Sequence, residues 1–273
     1  MLPGLRETVE KHGLLASKAL GQNFLLDRNI TDKIIRLSLN RQGLSSFAGC
    51  NICEIGPGPG GLTQAVLEAA PASLTVIEMD PRCIAIMEEL KAETTIPFRI
   101  VNGDALAFDL SREIEAPRQL VSNLPYNVSV PLLTGWLKQA GSYRAMTLMF
   151  QKEVAERITA PTRCKDYGRL SVLAQLTCGV AKLLELPPEC FTPAPKIRST
   201  VLLFTPKTEI PAAETLAKVE KITSLAFGQR RKMLRQSLKT MPDLLDKCRH
   251  LGIEPTARAE ELPPEAFLQL AEN

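Results

Sequence analysis

From Asn51 onward, short runs of strand-forming residues alternate with longer stretches of helical periodicity, and no other feature constrains the fold as strongly. The strand-like runs are Asn51 to Ile55, Leu74 to Glu78, Phe98 to Val101, Leu120 to Asn123 and Ala145 to Phe150. Between them Leu62 to Ala69, Pro81 to Glu93 and Ser129 to Gln139 read as helices, the second opening with Asp80 as N-cap and Pro81 at the first helical position. A strand recurring after each helix is the pattern of parallel strands joined by crossover helices. The fold expected is therefore α/β, a doubly wound, Rossmann-like sheet. Lys182 to Leu186 and Thr200 to Thr205 are expected to extend it as antiparallel strands. Beyond the Pro- and Ala-rich link Pro206 to Ala213 only helical patterns remain, which divides the chain into an α/β domain over 1–205 and a small all-helical domain over 206–273.

The 273 residues, 45% of them hydrophobic, suffice to bury a full α/β core and leave room for such an appendage. No stretch approaches the roughly 18 to 20 uninterrupted apolar residues of a membrane span. Nor does the N-terminus carry an apolar signal core, so a cytoplasmic protein without membrane attachment is expected. Seven cysteines at irregular spacing read as reduced thiols. Cys50 and Cys53 form a C-x-x-C, but no second pair follows at ligand spacing and Cys53 lies in an apolar run. Neither a redox pair nor a metal site is expected there.

The first strand ends in Glu54-Ile55-Gly56-Pro57-Gly58-Pro59-Gly60-Gly61-Leu62-Thr63, a glycine-rich turn leading into a helix. Gly56 and Gly58 let the backbone turn sharply and lie against a bound nucleoside. With Gly61 they satisfy G-x-G-x-x-G, which by itself fits NAD as well as S-adenosylmethionine. Glu54 tilts the choice, since an acid two residues before the first glycine can organise the loop and hold a cationic methionine end. Glu78 closes the second strand, placed to accept the ribose hydroxyls of either cofactor. Asp104, after the third strand, is placed to accept a hydrogen bond from an adenine amine. One acid at a strand end is commonly just a solvated carboxylate. Three at successive carboxyl ends, where open α/β sheets bind ligands, point to a site.

The fourth strand runs into Asn123-Leu124-Pro125-Tyr126. An adenine amine is a poor nucleophile because its lone pair is delocalised into the ring. If the Asn123 side-chain oxygen and the Leu124 carbonyl accept its two hydrogens, the nitrogen can pyramidalise and aim its lone pair at a sulfonium methyl. Pro125 stiffens the turn that directs the carbonyl, and Tyr126 offers a ring on which a flipped base can stack. Catalysis would then be positioning and electrostatics, without a strong base. Phe191, in the proline-stiffened loop Phe191 to Lys196, has two readings: an anchor packed on the core, or a ring on the opposite face of the base.

The net charge of +3 says little, but its distribution says more. Between Gln229 and Lys239 lie Arg230, Arg231, Lys232, Arg235 and Lys239 with no acid among them. On a helix, Arg231, Arg235 and Lys239 would form one stripe able to follow a phosphate backbone.

Together these motifs resemble the ribosomal RNA adenine dimethyltransferase family, whose members modify two adjacent adenines in the loop of the 3′-terminal helix of 16S rRNA. The resemblance spans nearly the whole chain, from Gly21-Gln22-Asn23-Phe24-Leu25 through the motifs above, Gln151 to Val154, Tyr167 to Ser171, Phe191 to Ser199 and Phe227 to Lys232, to Gly252-Ile253. It implies that Asn23 and Leu25 contact S-adenosylmethionine with Gly56, Glu78, Asp104 and Asn123. Read without it, Gln22 to Leu25 is only a loop leading into a helix. It also implies that Tyr126 and Phe191 sandwich the target adenine, that the enzyme is a metal-free monomer, and that its substrate is 16S rRNA within the immature small subunit. Arg198 departs from the pattern, because many relatives carry an acidic or polar residue before the serine. Three alternatives stand beside this reading: the same chemistry on large-subunit rRNA, a noncatalytic nucleic-acid-binding or ribosome-assembly factor, and an NAD dehydrogenase. Phe227 to Ser237 and Gly252-Ile253 favour the small subunit, the intact Asn123 to Tyr126 argues against lost catalysis, and Glu54 argues against NAD.

Overall fold

Residues 4–14 and 23–272 are described by the structure, a computed structural model; Gly21 and Gln22 lie outside them. In chain order the elements are α1 (Leu5–Lys11), β1 (Phe24–Leu25), α2 (Arg28–Arg41), β2 (Asn51–Ile55), α3 (Gly61–Glu68), β3 (Ser73–Glu78), α4 (Pro81–Ala92), β4 (Phe98–Asn102) and α5 (Leu110–Glu113). They continue with β5 (Arg118–Asn123), α6 (Tyr126–Lys138), β6 (Ala145–Gln151), α7 (Lys152–Thr159), α8 (Arg169–Thr177), β7 (Cys178–Leu186), β8 (Phe191–Thr192) and β9 (Ser199–Pro206). The last are α9 (Ala213–Gly228), α10 (Leu234–Ser237), α11 (Pro242–His250) and α12 (Pro264–Ala271).

Seven strands form one sheet in the order β4-β3-β2-β5-β6-β9-β7. The pairs β3·β4, β2·β3, β2·β5 and β5·β6 are parallel, and β9 runs antiparallel to β6. From β2 the chain winds outward through β3 and β4, then returns to start β5 on the other side of β2. The β2/β5 boundary is thus a topological switch point, where loops leave the strand ends in opposite directions and open a crevice for ligand. The inner strands are near-continuous apolar runs because helices cover them: Ile52, Leu74 and Val76 are fully buried with Ile34 of α2, Val66 of α3 and Met87 and Leu90 of α4. Each such side chain contributes about 1.5–3 kcal/mol relative to exposure. The start of α4 is as the sequence predicts, with the Asp80 carboxylate accepting from Arg82 N–H at 3.0 Å and Pro81 in the first turn.

The chain divides into two compact units, and the division differs from a single cut after residue 205. The first unit holds the chain through Leu133 with Ser142–Lys152 and Ala181–Thr205; the second gathers Thr134–Gly141, Glu153–Val180 and Pro206–Asn273. Pro206 is an edge of the second unit, but residues 153–180 pack with the C-terminal helices. The reason is apolar. Tyr167, Val172 and Leu176 are buried with Val219, Ile222 and Phe267, and Phe227 stacks edge-on against Tyr167 and tilted against Phe267. Tyr167 Oη donates to the Leu262 carbonyl at 2.9 Å, which satisfies the polar end of a fully buried ring. Gly252 and Ile253 end α11, the Ile253 N–H donating to the Cys248 carbonyl at 2.8 Å.

Candidate active site

The crevice at the switch point has two lobes that share Gly56, Glu78 and Pro125. Asn23, Leu25, Glu54, Gly58, Asn123, Leu124 and Tyr126 line the first. The second, about 510 Å³, is lined by Asp104 with Met79, Ala105, Asn127 and Val128 among others, a size typical of small-molecule sites. All predicted cofactor residues, and four of the five predicted catalytic residues, therefore face one crevice.

Backbone packing builds the first lobe. Gly58 has φ +57°, and a Cβ there would stand 2.9 Å from the Phe24 ring. A Cβ on Gly61 would run into the Leu25 carbonyl oxygen. Both glycines thus let β1 lie across the glycine-rich turn, and this brings Asn23 and Leu25 to the crevice. Nothing local in Asn23 to Leu25 signals that placement. Ser122 Oγ donates to the Ile55 carbonyl at 2.6 Å and fixes the end of β5 against β2.

Two buried carboxylates face this space. Glu54, 2% exposed, accepts from Thr63 Oγ1 at 2.7 Å. Burial pushes its carboxyl up to about 8, with the Thr63 bond lowering it and the charge of Glu78 raising it. Glu78 accepts from the N–H groups of Met79 at 2.8 Å and Asp80 at 2.9 Å, and burial raises its pKa against the pull of these bonds. Among the described residues neither acid has an ion-pair partner. A buried acidic pair facing a crevice suits a ligand that brings its own positive charge and hydroxyl donors. S-adenosylmethionine is such a ligand, and the residues that could hold it are Glu54 for its cationic methionine end, Glu78 for its ribose and Asp104 for its adenine. Asp104 is exposed and caps a short helical turn through Leu106 N–H at 2.9 Å. Met79, 66% exposed beside Glu78, adds an apolar surface to the second lobe. Neither Thr63, though part of the glycine-rich motif, nor Met79 is given a role by the sequence alone. The signal for Thr63 was its place one helical turn past the glycines, within reach of Glu54; the exposure of Met79 had no signal.

The Asn123 side chain is held by its nitrogen. Nδ2 donates to the Asn23 carbonyl at 3.0 Å, which turns the amide oxygen to the other side. Leu124 and Pro125 follow along the crevice wall, Pro125 packing against Gly56. Tyr126 opens α6, its hydroxyl 2.8 Å from Ser199 Oγ, and burial raises its pKa, so the ring is neutral and pinned at both ends.

Phe191 takes the first of its two readings. It is 3% exposed in the apolar cluster and lines neither lobe, and its backbone pairs with Leu25 in the two-stranded β1·β8 sheet. In this conformation it anchors β1 and does not present its ring to a base. The basic run also departs from expectation. It is not one helix: α9 stops at Gly228, Gln229 leaves helical geometry, and only Leu234–Ser237 resumes it. Tertiary hydrogen bonds win over helix propagation, since Met233 bridges Arg258 and the N–H groups of Leu234 and Arg235 donate to Ala257 and Pro255. Arg231, Lys232, Arg235 and Lys239 are exposed, but not as a stripe every four residues along one helix. Arg230 is engaged within the protein, with Nε 2.7 Å from Glu260 and its amino groups on the Cys164 and Lys165 carbonyls. The seven cysteines are free thiols, and burial raises the pKa of Cys53.

An α/β sheet with a cofactor crevice at its switch point, walled by buried acids and closed by Asn-Leu-Pro-Tyr, defines an S-adenosylmethionine-dependent methyltransferase. Comparison with known proteins narrows the class. The profile of the family described as ribosomal RNA adenine dimethylase matches residues 13–273. Among curated relatives, the ribosomal RNA small subunit methyltransferase A of Rhodospirillum rubrum is 46% identical over 99% of this chain and 92% of its own length. That of Paramagnetospirillum magneticum is 45% identical over 99% and 94%. A dimethyladenosine transferase from Plasmodium falciparum shares the fold with a TM-score of 0.74 at 24% identity, covering 89% of this chain and 94% of its own. The 23S rRNA methyltransferase ErmE does so at 0.65 and 24% identity, covering 92% and 98%. The chain belongs to the ribosomal RNA adenine dimethylase family.

Proposed function

We propose that this protein transfers methyl groups to N6 of two adjacent adenines in the loop of the 3′-terminal helix of 16S rRNA, acting as a cytoplasmic monomer on the immature small subunit. The observation that carries this reading is the anchored Asn123 amide at the carboxyl end of β5, beside the acid-walled crevice. S-adenosylmethionine supplies an electrophilic methyl group on a sulfonium. Asn123 and the Leu124 carbonyl accept the two amine hydrogens and localise the nitrogen lone pair toward that methyl. Tyr126 stacks on the extruded base, and its bond to Ser199 holds the ring in place. The methylated amine is acidic while it carries positive charge and sheds its proton to solvent; no histidine lines the crevice. Arg231, Lys232, Arg235 and Lys239 supply sequence-independent attraction for the rRNA backbone. The family and the small-subunit names of the relatives support this substrate over large-subunit rRNA.

Incubation with radiolabelled S-adenosylmethionine and unmethylated small subunits, followed by nucleoside analysis, tests the proposal. N6,N6-dimethyladenosine at two adjacent positions is expected; label confined to large-subunit rRNA would overturn it. Asn123→Ala is expected to leave cofactor binding measurable and abolish transfer, and undiminished transfer would remove Asn123 from the mechanism.

A further inference from the structure

Outside the cofactor crevice, one cluster of charged groups has more cations than its own pairing requires. Glu185, near the end of β7, has Arg198 Nε at 2.7 Å and Lys152 Nζ at 3.4 Å from one oxygen and Lys182 Nζ at 4.0 Å from the other. Three cations against one carboxylate give the cluster a formal charge of +2, and all three cationic side chains stay between 39% and 51% exposed. A single lysine would neutralise Glu185, and exposed ion pairs add little to stability. The surplus is therefore set for an anion from outside.

The cluster lies on the same edge of the sheet as the chemistry. Lys152 directly follows β6, whose Gln151 is in register with Ser199, and Lys152 N–H donates to the Arg198 carbonyl at 2.9 Å. Ser199 is the residue whose hydroxyl meets Tyr126. The parallel neighbour β5 ends at Asn123, in register with Met149 of β6. Three strand spacings of about 4.8 Å put β7 roughly 14 Å from β5, a distance that an RNA strand crosses in a few nucleotides. Arg198 offers a planar fork suited to phosphate oxygens, and its contact with Glu185 is through Nε.

We propose that Lys152, Lys182 and Arg198, gathered on Glu185, clamp the phosphodiester backbone of the single-stranded RNA next to the target adenine. The clamp rests on the reading of the protein as an rRNA adenine methyltransferase, but its binding can be measured without turnover. Glu185 competes with phosphate for the same cations and so tunes the strength of the grip.

The decisive experiment titrates a fluorescent single-stranded RNA oligonucleotide into the full-length protein over a series of salt concentrations. Two lost phosphate contacts in Lys182→Ala/Arg198→Ala should weaken binding about tenfold and flatten the slope of log K against log salt by about 1.4. Arg198→Lys should lose less than the double variant. Glu185→Gln should move the other way, with tighter binding and a steeper slope, which a merely structural ion-pair cluster would not produce. Wild-type affinity and slope in the double variant, or weaker binding in Glu185→Gln, would overturn the clamp. Wild-type protein that binds the oligonucleotide with this pattern yet transfers no label to small subunits would count against the proposed substrate and leave the clamp standing.

Discussion

Replacing Glu54 by glutamine should make the cofactor-free protein more stable and the cofactor-bound protein harder to form. In the fold this carboxyl titrates at about 8, against 4.5 for an ordinary glutamate, chiefly because it is buried. The stability associated with its neutral form is complete below about pH 4.5 and is lost as pH rises to about 8, because the unfolded chain ionises and the folded one resists. The gap corresponds to roughly 5 kcal/mol when fully expressed above pH 8, and to about 3 kcal/mol at pH 7. Glutamine keeps the size and the acceptor for Thr63 Oγ1 but cannot ionise. At pH 7 the variant's melting temperature should rise by roughly 6–12 °C, and at pH 4 the two proteins should melt together. If the cationic end of S-adenosylmethionine meets Glu54, its charge favours the ionised carboxylate, so wild-type binding near pH 7 should release a proton and the variant should bind at least about tenfold more weakly. Thermal melts from pH 4 to 8.5, with titration calorimetry in two buffers of different ionisation enthalpy, read both quantities. Equal melting temperatures at pH 7, or equal cofactor affinities, would refute the assignment of Glu54 as a buried, neutral acid that meets the cationic end of the cofactor.

Two further substitutions probe how the site and the second unit are built. Gly61→Ala puts a methyl into the Leu25 carbonyl, so β1 must lift; a loss of roughly 1–3 kcal/mol in denaturant unfolding and a parallel loss of cofactor affinity are expected. Arg230→Met removes the link between Glu260 and the Cys164 and Lys165 carbonyls, and urea unfolding should show a loss of about 1–3 kcal/mol. If Arg230 acted mainly on RNA, as Arg231, Lys232 and Arg235 are proposed to, that substitution would leave stability unchanged and weaken RNA binding alone.

Much of this was legible because its causes are local. Apolar runs at strand length and helical periodicity follow from each segment's need to bury a face, so β2 to β6 and α3, α4 and α6 stand within a few residues of their expected bounds. Strand polarity then carries Glu54, Glu78, Asp104 and Asn123 to one edge without further information. Arg230 shows where such reading stops. Its neighbours form a run of cations with no intervening acid, but Glu260, which holds it, lies thirty residues on and no periodicity links the two.

By itself the sequence determined the doubly wound sheet, the acid-bearing strand ends and the Asn123 to Tyr126 motif, since hydrophobic patterning and strand direction suffice to place them. Only the tertiary structure decided what depends on distant backbone. It laid β1 over the glycine turn, where Asn23 fixes the Asn123 amide; it buried Phe191 behind Leu25 and broke the basic run at Gln229. The physical reason is the same in each case. Hydrogen bonds and packing between segments far apart in the chain outweigh local propensity, and they leave no mark in the composition or spacing of either segment alone.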